Sequence, residues 1–174
     1  MATHALKERK ILVAVDASEE SFYALSWCLH NVLSRKFRDT IVLVYAQPVP
    51  VSYSSFDVPD MIASMERYAR EVAKSIMERS KKVCADVAGD VAVETLVEEG
   101  DAREVICQAV KKLSADLLVL GSHGYGVIKR TFLGSVSNHC AQSVQCPVLI
   151  AKKPKSIAEI SENNDNDCPF ANVW

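Results

Sequence analysis

Two short stretches of this chain carry residue types and spacing suited to holding a phosphate. They are Gly121-Ser122-His123-Gly124 and, after nine intervening residues, Gly134-Ser135-Val136-Ser137. Before them lies Ala115-Asp116-Leu117-Leu118-Val119-Leu120, which reads as a fully buried parallel strand. Ser135 to Ser143 reads as a helix with small opening residues. Glycines let a backbone pass close to an anion, and the amides of a helix's first turn point at it. Ser135 and Ser137 add hydroxyl donors. The pattern is not a Walker loop, because no Gly-Lys-Ser/Thr follows. It is not the dinucleotide fingerprint either, since Lys129 stands where a third small residue is required.

Asp16, at the end of an apolar run from Ile11 to Val15, is the second residue with chemical potential. A carboxylate repels phosphates, so it suits a ligand's amino or hydroxyl groups instead. The alternative is a strand-end carboxylate that helps cap the next helix. His123 has neither a second ligand at metal spacing nor a nearby carboxylate in sequence, and reads as an exposed loop histidine near a phosphate. Lys129 and Arg130 either meet a phosphate tail or are solvated loop charges. No Walker-type lysine and no second acid to hold Mg²⁺ accompany these groups, so binding is better supported than turnover.

The elements that position these residues alternate. Strands are expected at Ile11–Val15, Thr40–Ala46, Val91–Val97, Asp116–Leu120 and Val148–Ala151. Ser18 caps the first helix with Glu19 and Glu20 in its first turn, and Phe22, Leu25, Leu29 and Val32 form its apolar stripe. Pro48, Pro50 and Pro59 mark a loop before a long helix over about 60–87, with Ile62, Met65, Ala69, Val72 and Ile76 on one side. Asp101 and Glu104 open a third helix in the manner of a capping box, with Val105, Ile106, Ala109, Val110 and Leu113 facing the core. The third strand, with Val91, Val93, Thr95 and Val97 alternating, is expected to be partly exposed. Regular alternation gives an α/β fold, an open five-stranded parallel sheet with right-handed crossovers and helices on both faces. Ligands of such sheets bind outside the carboxyl ends of the strands, where strand order reverses.

At 174 residues, with 49% hydrophobic and 24% charged residues, the chain suits one soluble globular domain. A net charge of -2 argues against broad nucleic-acid binding. The six cysteines contain no Cys-x-x-Cys and read as reduced thiols, several on apolar helix positions. Residues 131–151 lack charge, but Asn138, His139, Gln142, Gln145 and Pro147 interrupt them, so no membrane span is expected. The head has no room for a signal peptide. Residues 1–9 are expected to be an extension, 10–153 the domain, and 154–174 a flexible acidic tail whose Phe170, Val173 and Trp174 could dock on a partner. A cytoplasmic protein is expected, with nuclear access open.

Gly-x-x-Gly, nine residues, Gly-Ser resembles the ATP-binding signature of the universal stress protein family. Lys10 to Glu19 is similar to that family's opening strand and aspartate, Gly100 to Ile106 to its stretch before the third helix, and Gln145 to Ala151 to its last strand. The resemblance implies a Rossmann-like strand order 3-2-1-4-5, with Asp16 and the Gly121 loop as walls of one crevice. It places Val15, Asp16 and Ala17 at the adenine and ribose end. It makes Tyr45 a backbone contact to adenine and Leu120 an apolar wall, although both also read as plain core residues. Gly121, His123, Gly124, Gly134, Ser135, Val136 and Ser137 complete the implied site. The implied ligand is ATP or AMP, with or without Mg²⁺. The implied function is a non-catalytic stress-response switch that signals to a protein partner. A slow ATPase, or a dimeric interaction module with a vestigial cleft, are the alternatives. Family members also imply a homodimer through strand five.

Overall fold

The computed structural model describes residues 7–34, 36–49, 59–124 and 133–154. Five strands and four helices alternate along the chain: β1 (Lys7–Ala14), α1 (Glu19–Asn31), β2 (Phe37–Gln47), α2 (Pro59–Ala88), β3 (Ala92–Glu99), α3 (Ala102–Leu113), β4 (Leu117–Gly121), α4 (Ser135–Ser143) and β5 (Val148–Ala151). All pairings are parallel, and the sheet order is β3-β2-β1-β4-β5, as the resemblance implied. The order reverses between β1 and β4, whose carboxyl ends therefore open one crevice.

Period-two alternation along the central strands divides the core. Ile11, Val13 and Val15 face α1 and α2, packing against Ala24, Leu25, Cys28, Leu29, Ala73, Ile76 and Met77. Leu12, Val42, Val44, Leu118 and Leu120 face α3 and α4, against Val105, Ile106, Ala109, Val110 and Cys140. Both faces of the sheet are thus covered by helices. The expected stripes of α1 and α3 lie on those faces, and Leu113 is half-buried at the end of its stripe.

Several boundaries differ from expectation. β1 and β2 begin at Lys7 and Phe37, in charged sequence, because Arg9 and Asp39 face each other across the pair. The Arg9 guanidinium donates to both Asp39 oxygens, at 2.8 and 2.9 Å, and lies 4.5 Å above the Phe37 ring. Residues 7–9, expected within the extension, are therefore strand. β1 ends at Ala14, and Val15 carries the ladder one bond further, its N–H reaching the Val44 carbonyl at 2.9 Å. β3 is partly exposed, as its alternation indicated, with Val97 open to solvent. In α2, by contrast, Ile62 and Met65 are exposed, and the helix joins the core only from Val72 onward. Asp101 caps α3 by accepting from the Arg103 N–H at 2.9 Å and pairing with its guanidinium; it uses Arg103 where Glu104 was expected. Gly100, just before it, has φ +146°, a conformation that side chains rarely adopt.

Candidate functional site

The floor of the crevice is a serine–aspartate turn between β1 and α1. Asp16 Oδ1 accepts from the Ser18 N–H at 2.9 Å and from the Ser18 hydroxyl. The Ser18 hydroxyl oxygen accepts from the Ser21 N–H at 3.2 Å, capping α1. The Ser21 hydroxyl accepts from the Asp16 N–H at 3.1 Å. Ser18 and Ser21 are buried, whereas Asp16 is half-buried and Ala17 exposed. The capping reading of Asp16 is therefore realised, with one carboxylate oxygen held by Ser18 at the start of α1, and the other oxygen lies toward Gly124. Ser21 was missed from sequence, since a serine three residues after a cap carries no capping-box signature.

The opposite wall is the chain leaving β4. A Cβ built on Gly124 would stand 2.8 Å from Asp16 Oδ2, so the loop and the carboxylate meet. The strand order thus brings Asp16 and Gly124, far apart in sequence, to one place. Gly121 has a different reason to be glycine. Its Cβ would lie 3.0–3.1 Å from the backbone of Glu20 and Ser21, so β4 could not end so close to α1 with a side chain there. Gly134 is similarly crowded, 3.3 Å from His123 Cα and from the Ser122 carbonyl.

α4 is hooked to this loop at its first turn. The Gly134 N–H donates to the Ser122 carbonyl at 2.8 Å, and the Ser137 hydroxyl donates to the Gly121 carbonyl at 2.7 Å. Ser137 is buried, and its hydroxyl proton is given to that bond. Ser135 is exposed at the helix start, and Val136 is half-buried against the α3-side core. No side chain caps the first turn of α4 among the described residues, and no acidic residue lies in it. The start of α4 is therefore a positive dipole terminus. α1 differs, with Ser18, Glu19 and Glu20 crowding its start. The crevice thus has the Asp16 carboxylate on one side and the amides of the α4 start on the other.

His123 is half-buried beside the loop, with Nδ1 3.1 Å from the Ser122 hydroxyl. Tyr45 is buried on the α1 side, and burial followed by the charge of Asp16 raises its phenol above the usual range. Leu120 is buried on the opposite face, in the α3 and α4 core. Lys129 and Arg130 lie outside the described residues, as do Phe170, Val173 and Trp174. No group of three or more His, Cys, Asp or Glu side chains suited to a metal occurs among the described residues. No helix among them is long and apolar enough to cross a membrane.

Comparison with known proteins places this geometry in a family. The sequence model of the universal stress protein family matches residues 8–152. The universal stress protein A-like protein of Arabidopsis thaliana is 30% identical over 161 residues, spanning 83% of this chain and 90% of the relative. The universal stress protein YxiE of Bacillus subtilis is 31% identical over 148 residues, spanning 82% of this chain and 98% of its own. Among solved structures, a universal stress protein family protein from Arabidopsis thaliana with AMP bound superimposes with a TM-score of 0.62. It is 27% identical and covers 84% of this chain and 92% of its own. With the family model spanning most of the sequence and relatives at 30 and 31% identity, the chain belongs to the universal stress protein family.

Proposed function

We propose that the protein binds an adenine nucleotide, AMP or ATP, in the crevice between β1 and β4, and that occupancy switches its affinity for a protein partner. The observation that carries the reading is the uncapped start of α4 held across the loop from Asp16. Phosphate oxygens take the first-turn amides of α4, the Gly124 backbone and the Ser135 hydroxyl, with His123 alongside, while Gly134 holds the helix start against the loop. Ribose hydroxyls or the adenine amino group take Asp16, while Val15, Ala17, Tyr45 and Leu120 flank the base. The AMP bound to the Arabidopsis relative supports this choice of ligand. Mg²⁺ is an optional companion of the phosphates. The described residues place no second carboxylate against the α4 start, which favours binding over turnover.

Native mass spectrometry of protein purified without added ligand is the direct test, followed by calorimetry with AMP and ATP. Micromolar binding and no phosphate release above that of a Gly134→Val variant are expected. Empty protein with flat titrations refutes the reading, and turnover above the variant replaces the switch with an ATPase. The same reading takes the protein to act in the cytoplasm as a homodimer joined through β5. The place of that strand at the end of the sheet supports the dimer, as does a groove of about 240 Å³ beside it, lined by Tyr23, Trp27, Leu149 and Lys152.

A further inference from the structure

Cys107 and Cys140 are separated by 33 residues in sequence, yet the packing of α3 against α4 brings their Sγ atoms to 4.0 Å. Both stand in the core that joins those helices to the sheet. Cys107 is half-buried, whereas Cys140 is fully enclosed. Cys140 also lies one helical turn beyond Ser137, whose hydroxyl ties α4 to Gly121. Residues three apart share a helix face, so the thiol and the tether act on the same side of a nine-residue helix.

We propose that Cys107 and Cys140 are an oxidisable dithiol whose closure to a disulfide under peroxide re-aims the first turn of α4. The second half of this proposal, the effect on ligand affinity, rests on the nucleotide reading above. A disulfide bond is about 2.05 Å long. The sulfurs must therefore approach by roughly 2 Å from their present separation. Cys107, at the edge of the core, can turn its side chain. Cys140 is packed on every side, so part of the approach falls to the short helix itself. Its first turn belongs to the same nine-residue helix and moves with it, straining the two hydrogen bonds that tie that turn to the loop.

The chemistry balances with hydrogen peroxide as oxidant. The Cys107 sulfur, as thiolate, attacks one peroxide oxygen; the O–O bond breaks, hydroxide leaves, and a sulfenic acid forms. The Cys140 sulfur then attacks the Cys107 sulfur and gives up its proton; the S–O bond breaks and water leaves. Net, two thiols and one peroxide give one disulfide and two waters. The order of steps follows from burial. Enclosure, with the neighbouring Cys107 adding to it, pushes the Cys140 thiol up to about 12, so Cys140 is the resolving group and Cys107 the one oxidised first.

The test treats the full-length protein with dilute hydrogen peroxide, alkylates it, and maps its peptides by mass. A peptide pair joined through Cys107 and Cys140, reopened by dithiothreitol and absent in Cys107→Ser, is expected. Progress of Cys107 to sulfinic acid without a link, or links through other cysteines or between chains instead, overturns the dithiol. Hydrogen exchange then follows residues 134–137. Altered protection there in the oxidised wild type, and not in treated Cys107→Ser, is expected; unchanged protection overturns the coupling. AMP affinity is expected to fall at least about fivefold on oxidation, the low end of ordinary site coupling. Equal affinity in both redox forms removes the effect on the ligand. No AMP binding in either form sinks the nucleotide reading, while the peptide map and exchange still decide the dithiol.

Discussion

The 2.8 Å approach of a Gly124 Cβ to Asp16 Oδ2 couples these two positions sterically. Asp16 cannot retreat freely, because its other oxygen is held by the amide and hydroxyl of Ser18. Gly124→Val is therefore expected to displace or clash with the carboxylate and abolish AMP binding by calorimetry. Gly124 is exposed, so the melting temperature should barely move. Asp16→Ala should weaken AMP by about 10- to 100-fold, the worth of a hydrogen bond to a charged group. The loss should be equal with and without Mg²⁺, and a loss confined to Mg²⁺ would reassign Asp16 to metal coordination. Gly121→Ala belongs to stability, because its Cβ meets the α1 backbone. A cost of about 1–3 kcal/mol in denaturant melts is expected. The glycine spacing was legible in sequence, but the separate reasons for Gly121 and Gly124 were not. Their neighbours, Glu20 and Asp16, come from the other end of the chain.

Among the elements, α4 and β5 match their sequence expectation residue for residue, because small residues, Pro147 and an apolar run punctuate them locally. β1 and β2 were read too short, since the Arg9–Asp39 pair that extends them is a cross-strand event invisible to periodicity. The apolar period of α2 was legible, but only its later part packs on the core, from Val72 onward, and Ile62 and Met65 of the same stripe are exposed. Where helix and sheet do meet, buried thiols set a pH limit. Burial pushes Cys28 and Cys140 up to about 12 and Cys84 up to about 11. Unfolded thiols titrate near about 8.5, so above that value the unfolded chain loses protons that the folded one keeps. Their stabilising effect is complete below about pH 8.5 and is lost as pH climbs through the folded values. Guanidinium midpoints at pH 7, 9 and 10 should therefore fall progressively. The slope approaches at most about 1.4 kcal/mol per pH unit for each thiol. A midpoint that is flat to pH 10 would mean that these cysteines are solvated.

At the scale of the whole molecule, the proposed dimer turns on the side of β5 that pairs with no other strand among the described residues. The carbonyls of Pro147 and Ala151 accept from Leu118 and Ser122 of the β4 side, at 3.0 Å each. By the two-residue period, Val148 and Ile150 direct their backbone groups away from β4. Light scattering of the unaltered protein is expected to give a dimer mass. Ile150→Pro removes one outward N–H while sparing the β4 ladder and should shift the mass toward monomer. Leu149→Lys should do so too, but Leu149 also packs on the α1-side core, so its effect mixes assembly with stability. A monomer mass for the unaltered chain would sink the dimer.

The sheet order also has a consequence for how the chain is made. β1 is central, yet its second neighbour, β4, is synthesised about a hundred residues later; Lys10 N–H bonds Asp116 Oδ2 across a separation of 106 positions. On the ribosome, β1, β2 and β3 can pair while the other border of Ile11, Leu12 and Val13 stays bare. A nascent chain halted before Leu117 would thus present an unprotected apolar strand, the feature that recruits holding chaperones or seeds inclusion bodies. Release of β4 from the exit tunnel is the event that shields the strand and, in the same step, assembles the crevice.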